Sequence, residues 1–206
     1  MNGNAGKREV RQAQIADVFC EIGNIGTGAG MASLSHIVGL EVNYSPSVVT
    51  AGEYDGLLSW FGYAGASMAA VLTPFCGDIR GMVLQIYERD MVKTFLEGIL
   101  EREIGNSGLD GRLLDILKEI ANITASSYLT ALSACSGCRI DVLEAAVSMD
   151  MVGAIITELL GADENYGESL CIGNGFSVDG KGGSHILILL HRESVWQLME
   201  SLEVEL

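Results

Sequence analysis

Asp17, Glu21 and Asn24 stand four and three residues apart, and Asp115, Glu119 and Asn122 repeat that spacing later in the chain. On an α-helix turning about 100° per residue they fall at about 0°, +40° and −20°, a polar stripe about 60° wide. A carboxylate only accepts hydrogen bonds, so it pairs with a cationic group. A carboxamide both donates and accepts, so it can hold and orient a water. On a single helix such a trio would be an ordinary solvated face. Two copies, each with Asn where helix propensity favours Ala, Lys or Glu, argue for a site instead. Val18, Ile22 and Ile25 form a neighbouring apolar stripe that is expected to face the core, as do Ile116, Ile120 and Ile123.

The same stretch, "CEIGNIGTGAG", raises a competing reading: Gly23, Gly26, Gly28 and Gly30 could cradle a phosphate. Such a loop follows a strand and opens a helix, whereas these glycines follow the helical run "QIADVFCEI". Their counterparts in the second copy are Ala121, Thr124, Ser126 and Tyr128, so the glycines are lost where Glu and Asn are kept. They are expected to permit close approach of a neighbouring element.

The comparison is possible because the chain reads as an internal repeat. "DVFCEIGNIGTGAGMASLSHIVG" (17–39) aligns with "DILKEIANITASSYLTALSACSG" (115–137), and 8 of 23 positions are identical: Asp17/Asp115, Glu21/Glu119, Ile22/Ile120, Asn24/Asn122, Ile25/Ile123, Leu34/Leu132, Ser35/Ser133 and Gly39/Gly137. Farther on, "MVLQIYERDMVKTFLEGIL" and "ILILLHRESVWQLMESL" share one layout. Each is an apolar strand, a turn at Arg89-Asp90 or Arg192-Glu193, and an amphipathic helix.

Each half therefore predicts a long helix, a strand, a short helical or irregular stretch, two antiparallel strands and a closing helix. The long helices are expected at about 8–36 and 107–135. The second half continues with a strand at about 139–147, a helix at about 150–161, strands near 168–178 and 184–191, and a helix at about 193–203. The expected fold is α+β, two-layered and pseudo-twofold, an α-β-α-β-β unit used twice with both long helices on one continuous sheet. A single domain over 1–206 would then comprise repeats at about 8–104 and 107–206.

The helices "DVFCEIGNIGTGAG" and "DILKEIANITASS", each with Asp-x3-Glu-x2-Asn, resemble the CheC family of chemotaxis phosphatases, within the wider CheC/CheX/FliY group. So do the hairpin "TPFCGDIRGMVLQIY" and the stretch "VSMDMVGAII", and the resemblance runs from about residue 10 to 203. It implies hydrolysis of the aspartyl-phosphate of a CheY-like response regulator. Asn24 and Asn122 would position the attacking water, and Glu21 and Glu119 would pair with the regulator's active-site lysine. Asp17 and Asp115 would support them, and the Mg²⁺ would come with the regulator, so no cofactor of the chain's own is implied. The family pattern also has a proline about twenty residues after the Asn. Pro46 stands there in the first copy and Glu144 in the second, so the second loop departs from the family pattern. The resemblance further implies a possible partner, the receptor deamidase CheD, bound near Asp150 and Val152 where a helix opens. A non-catalytic adaptor for CheD or the regulator is thus the alternative function. A flagellar-switch component like FliY is expected to need extra segments.

Composition narrows the remaining classes. The chain has 206 residues, 49% of them hydrophobic, with 27 acidic against 12 basic residues and a formal net charge of −15, which argues against bare affinity for nucleic acid or anionic membrane. The longest uncharged run, Leu57 to Cys76, reaches the length of a membrane span, about 20 residues. Gly62, Gly65 and Pro74 interrupt it, and it reads as part of a buried hairpin turning near Gly77-Asp78. No secretory signal is visible, and five cysteines fit a reduced, cytoplasmic protein. Cys135 and Cys138 are spaced like a metal or redox pair, but no second CxxC exists and His36, His185 and His191 lack ligand spacing, so no metal site is expected.

Overall fold

The glycine-rich stretch does not break the helix that contains it. In the computed structural model, which describes residues 3–62, 64–101, 104, 109–162 and 169–202, it lies inside one 36-residue helix, α1 (Gly3–Val38). Its counterpart is α4 (Gly111–Ser136), where the Asp110 side chain caps the start by accepting from the Leu113 N–H at 3.0 Å. Both helices stop in the same way. Gly39 and Gly137 take left-handed backbone (φ +68° and +71°), and their N–H groups donate to the Ser35 and Ser133 carbonyls. The hydroxyls of those serines donate to the carbonyls of Leu40 and Cys138. The repeated Ser and Gly are therefore helix stops.

After each long helix the predicted strand is two strands with a break between them. The first half has β1 (Val42–Tyr44) and β2 (Val48–Ala51), and the second has β5 (Ile140–Val142) and β6 (Ala146–Met151). The hairpins are β3 (Ser67–Gly77) with β4 (Gly81–Glu88), turning at 78–80 as expected, and β7 (Leu170–Val178) with β8 (Lys181–Leu190). β4 and β8 each run into a helix, α3 (Arg89–Leu100) and α6 (Arg192–Ser201), whose first turns carry Asp90 and Glu193 against the helix dipole. The expected helix start at 107, strand start at 168 and helix end at 203 lie outside the described residues.

All eight strands form one antiparallel sheet in the order β1-β7-β8-β4-β3-β5, with β2 beside β7 and β6 beside β3. Each broken edge lies on a hairpin strand of the opposite half, and the registers correspond. Tyr44 pairs with Phe176 and Val48 with Gly173; Val142 pairs with Phe75 and Ala146 with Leu72. The central pair, β4 with β8, takes one strand from each half.

Strand alternation gives the sheet two apolar faces. One carries Val71, Phe75, Val83, Tyr87, Ile172 and Ile188 and is covered by α1, α4, α3 and α6, which bring in Phe19, Leu34, Leu117, Tyr128, Met91 and Leu198. The other carries Ala70, Leu84, Ile86, Cys171 and Leu187 and is covered by two short helices, α2 (Tyr54–Leu58) and α5 (Val152–Ala162). The two-layer expectation thus needs a partial third layer. β4 and β8 are central strands whose alternating apolar residues leave both faces to be kept from water.

Among the described residues no helix is long and apolar enough to cross a membrane.

Candidate functional site

The fold places Glu21 and Glu119 in solvent, and Asn24 and Asn122 half-buried beside them, with Asp17 and Asp115 exposed one turn before. The identical pairs of the two helices share environments: Ile22 and Ile120 are both buried, as are Leu34 and Leu132. Ile25 and Ile123 depart from the expected core stripe, at 43% and 41% exposed. At about 80° on the helical wheel they stand about 40° from the glutamates, on the margin of the arc, and packing left them on the water side. Each Glu–Asn pair thereby gains an apolar neighbour at the surface. Tyr44 and Val48 are also exposed beside the first site's loop, and Val142 and Leu143 beside the second's.

The glycines make room. A Cβ on Gly23 would stand 2.5 Å from both the Ser47 hydroxyl and the Ile172 side chain, and one on Gly26 would stand 2.6 Å from the Tyr128 ring. Gly23 therefore lets the β1–β2 loop lie against α1, and Gly26 lets α4 lie against it. Mid-helix, these residues offer no phosphate cradle, because the amides of an α-helix interior are already bonded within the helix.

The break between β1 and β2 is the loop Ser45-Pro46-Ser47, and it reaches back to the helix. The Ser47 N–H donates to Asn24 Oδ1 at 2.8 Å. Asn174, on β7, supports that loop: its Oδ1 accepts from the hydroxyls of Thr27 (2.7 Å) and Ser47 (3.0 Å), and its Nδ2 donates to the Ser45 carbonyl at 2.7 Å. Nothing local to the Glu–Asn spacing pointed to Asn174.

The second edge breaks at the same place with Glu144, not proline, at the middle of the loop. Here the proline is on the facing strand. Pro74 accepts from the Leu143 N–H at 2.9 Å and has no N–H of its own to offer the edge, which suits a gap in the ladder. The polar support differs, however: Asn122 Oδ1 is buried and has no hydrogen-bond partner among the described residues.

Neither Glu21 nor Glu119 is in an ion pair among the described residues, so both carboxylates face solvent unneutralised. The nearest thiol to the first site, Cys20, has its pKa raised by burial and then by the Asp17 carboxylate, so it is a poor thiolate nucleophile. Burial likewise raises Cys135. No group of three or more His, Cys, Asp or Glu suited to a metal ion occurs among the described residues.

The suggested partner-binding residues separate. Asp150 is exposed at the end of β6, but Val152 is fully buried as the first residue of α5, because that helix turns its apolar start into the second core. Val152 cannot present a surface to a partner, and the exposed apolar side chain there is Met151.

A family model described as the CheC-like family matches residues 114–143, from Leu114 through α4 and β5 to Leu143. The CheY-P phosphatase CheC of Bacillus subtilis (strain 168) is 28% identical over 155 residues, 74% of this chain and 74% of that one. Among solved structures, Thermotoga maritima FliY superposes with a TM-score of 0.71 at 17% identity, covering 92% of this chain and 96% of that one. A chain of the CheX–CheY–BeF3–Mg²⁺ complex from Borrelia burgdorferi gives 0.58 at 16% identity, covering 82% and 97%.

Proposed function

We propose that this chain, a relative of CheC that shares the fold of the CheX and FliY structures, is a phosphatase for the aspartyl-phosphate of a CheY-like response regulator. The observation that carries the reading is the recurrence of an exposed glutamate and a half-buried asparagine one turn apart, at matching positions of two helices that the fold presents alike. The curated relative is a CheY-P phosphatase, and one structural neighbour is seen with CheY, BeF3 and Mg²⁺. We read the two halves as a duplication that yields one site each.

An acyl phosphate is already activated, so the catalyst has only to hold a water in line with the phosphorus and hold the regulator in register. In the first site the Ser47 N–H occupies Asn24 Oδ1, which leaves the Nδ2 donor for the water. Among the described residues Glu21 and Glu119 have no cationic partner, which suits them to meet the regulator's lysine. The Mg²⁺ belongs to the regulator.

The test is phosphate release from phosphorylated regulator with this chain alone. Asn24→Ala with Asn122→Ala is expected to abolish turnover and leave regulator binding largely intact. Turnover that survives the double substitution would rule out the asparagine mechanism. No turnover by the unaltered chain, with binding retained, would leave an adaptor of the regulator or of CheD.

A further inference from the structure

We propose that Asn174 is the positioning residue of the first site, and that the two sites are unequal because only the first half contains its network. The inference rests on the phosphatase reading for its kinetic consequence and on geometry for its structural one.

A carboxamide can flip by 180° and exchange donor for acceptor, so an asparagine that must present one particular end needs something to fix it. At Asn24 the fixing group is a backbone N–H, which can only donate, so it holds Oδ1 inward and turns Nδ2 to the surface. That N–H belongs to a three-residue loop interrupting an edge strand, which by itself would be poorly held. Asn174 supplies what is missing. At 1% exposure it lies beneath α1, opposite the gap in the ladder between the Val48–Gly173 and Tyr44–Phe176 pairs. Its two acceptor bonds tie α1, through Thr27, to the loop, through Ser47, and its donor bond holds the Ser45 carbonyl. The Ser45 hydroxyl closes the loop by accepting from the Gly175 N–H at 3.0 Å.

The corresponding registers of the second half carry no such chemistry. Thr73 stands where Asn174 stands, between the Ala146–Leu72 and Val142–Phe75 pairs. Ala125, Leu143 and Ala145 stand at the places of Thr27, Ser45 and Ser47. The result is two orphans, the Thr73 hydroxyl and Asn122 Oδ1, both buried and without a hydrogen-bond partner among the described residues. No hydrogen bond to that oxygen selects the orientation of Asn122. The second site retains its glutamate for docking, but its carboxamide is not held for catalysis, and the first site carries most of the turnover.

Two measurements on the full chain decide this. In ¹⁵N relaxation of the side-chain amides, Asn24 is expected to be ordered and Asn122 mobile, and Thr27→Val is expected to loosen Asn24 alone, with Thr27→Ser restoring it. In kinetics with phosphorylated regulator, Asn24→Ala is expected to cost severalfold more turnover than Asn122→Ala. Thr27→Val and Asn174→Ala in the Asn122→Ala background are expected to lower kcat with KM little changed. Thr27→Val in the Asn24→Ala background measures the second site alone and is expected to leave it as it was. Equal order at the two asparagines, or equal losses in both backgrounds, would overturn the proposal. If the unaltered chain releases no phosphate, the phosphatase reading fails, and the relaxation measurement still decides whether Asn174 orients Asn24.

Discussion

The backbone N–H of Ser47 donates to the side-chain oxygen of Asn24 across 23 residues of chain, and the facing half has no equivalent bond to Asn122. One helix face thus presents a carboxamide whose oxygen is held by a backbone N–H, and the other a carboxamide whose oxygen has no hydrogen-bond partner among the described residues. An anionic exposed glutamate and an exposed isoleucine sit beside each.

The glutamates and the isoleucines are expected to act on association. Glu21→Ala with Glu119→Ala should weaken regulator binding about five- to tenfold, with turnover lost in step, and the loss should shrink at high salt because it removes a screened charge contact. Ile25→Ser with Ile123→Ser should weaken binding comparably without lowering the unfolding midpoint. Titration calorimetry at two ionic strengths, with a thermal melt of each variant, checks both.

Gly26→Ala should destabilise the fold by about 1–3 kcal/mol, because the added methyl meets the Tyr128 ring, fully buried where α1 and α4 cross. Helix propensity alone predicts the opposite sign, by about 1 kcal/mol in favour of alanine. Urea unfolding distinguishes the two, and a variant more stable than the parent would show that the helices need no close approach there.

Thr73→Val should stabilise the protein by about 1 kcal/mol. It keeps the shape of the side chain and removes a buried hydroxyl that has no partner. A stability loss in denaturant titration would mean that the hydroxyl is satisfied in solution.

His185 should make stability pH-dependent. It packs edge-on against Trp60 and Phe61, and burial lowers its pKa from 6.5 to about 4. Between those values the unfolded chain binds the proton and the folded chain does not, so stability falls as the pH drops from about 6.5 towards 4, by up to about 1.4 kcal/mol per pH unit. His185→Phe should flatten that part of the curve, as read from unfolding midpoints across the window.

That Asp17, Glu21 and Asn24 would share one helix face, and Asp115, Glu119 and Asn122 another, was legible in the sequence, because Asp-x3-Glu-x2-Asn is a statement about one helix and the helical period is local. The Gly77-Asp78 turn was equally local, whereas Gly39 and Gly137 stood out in the sequence only as an identical pair and their role as helix stops came from the structure. Ile25 was not legible: at about 80° on the wheel it could fall on either side of the waterline, and only the packing of α1 on its neighbours decided. Val152 was misread for a related reason, since the first residue of a helix faces whichever layer the preceding strand leads it to. The third layer followed from strand order, which puts β4 and β8 at the centre of the sheet with both faces to cover.

Asn174 marks the limit of sequence reading most clearly. It lies 147 residues from Thr27 and reaches it because β7, from the second half of the chain, pairs with the broken edge of the first. Local spacing was enough to set an acid and an amide on each of two helices. Which amide would be held, and by what, was decided by long-range strand pairing, because a hydrogen bond needs atoms about 3 Å apart and only the sheet brings these together.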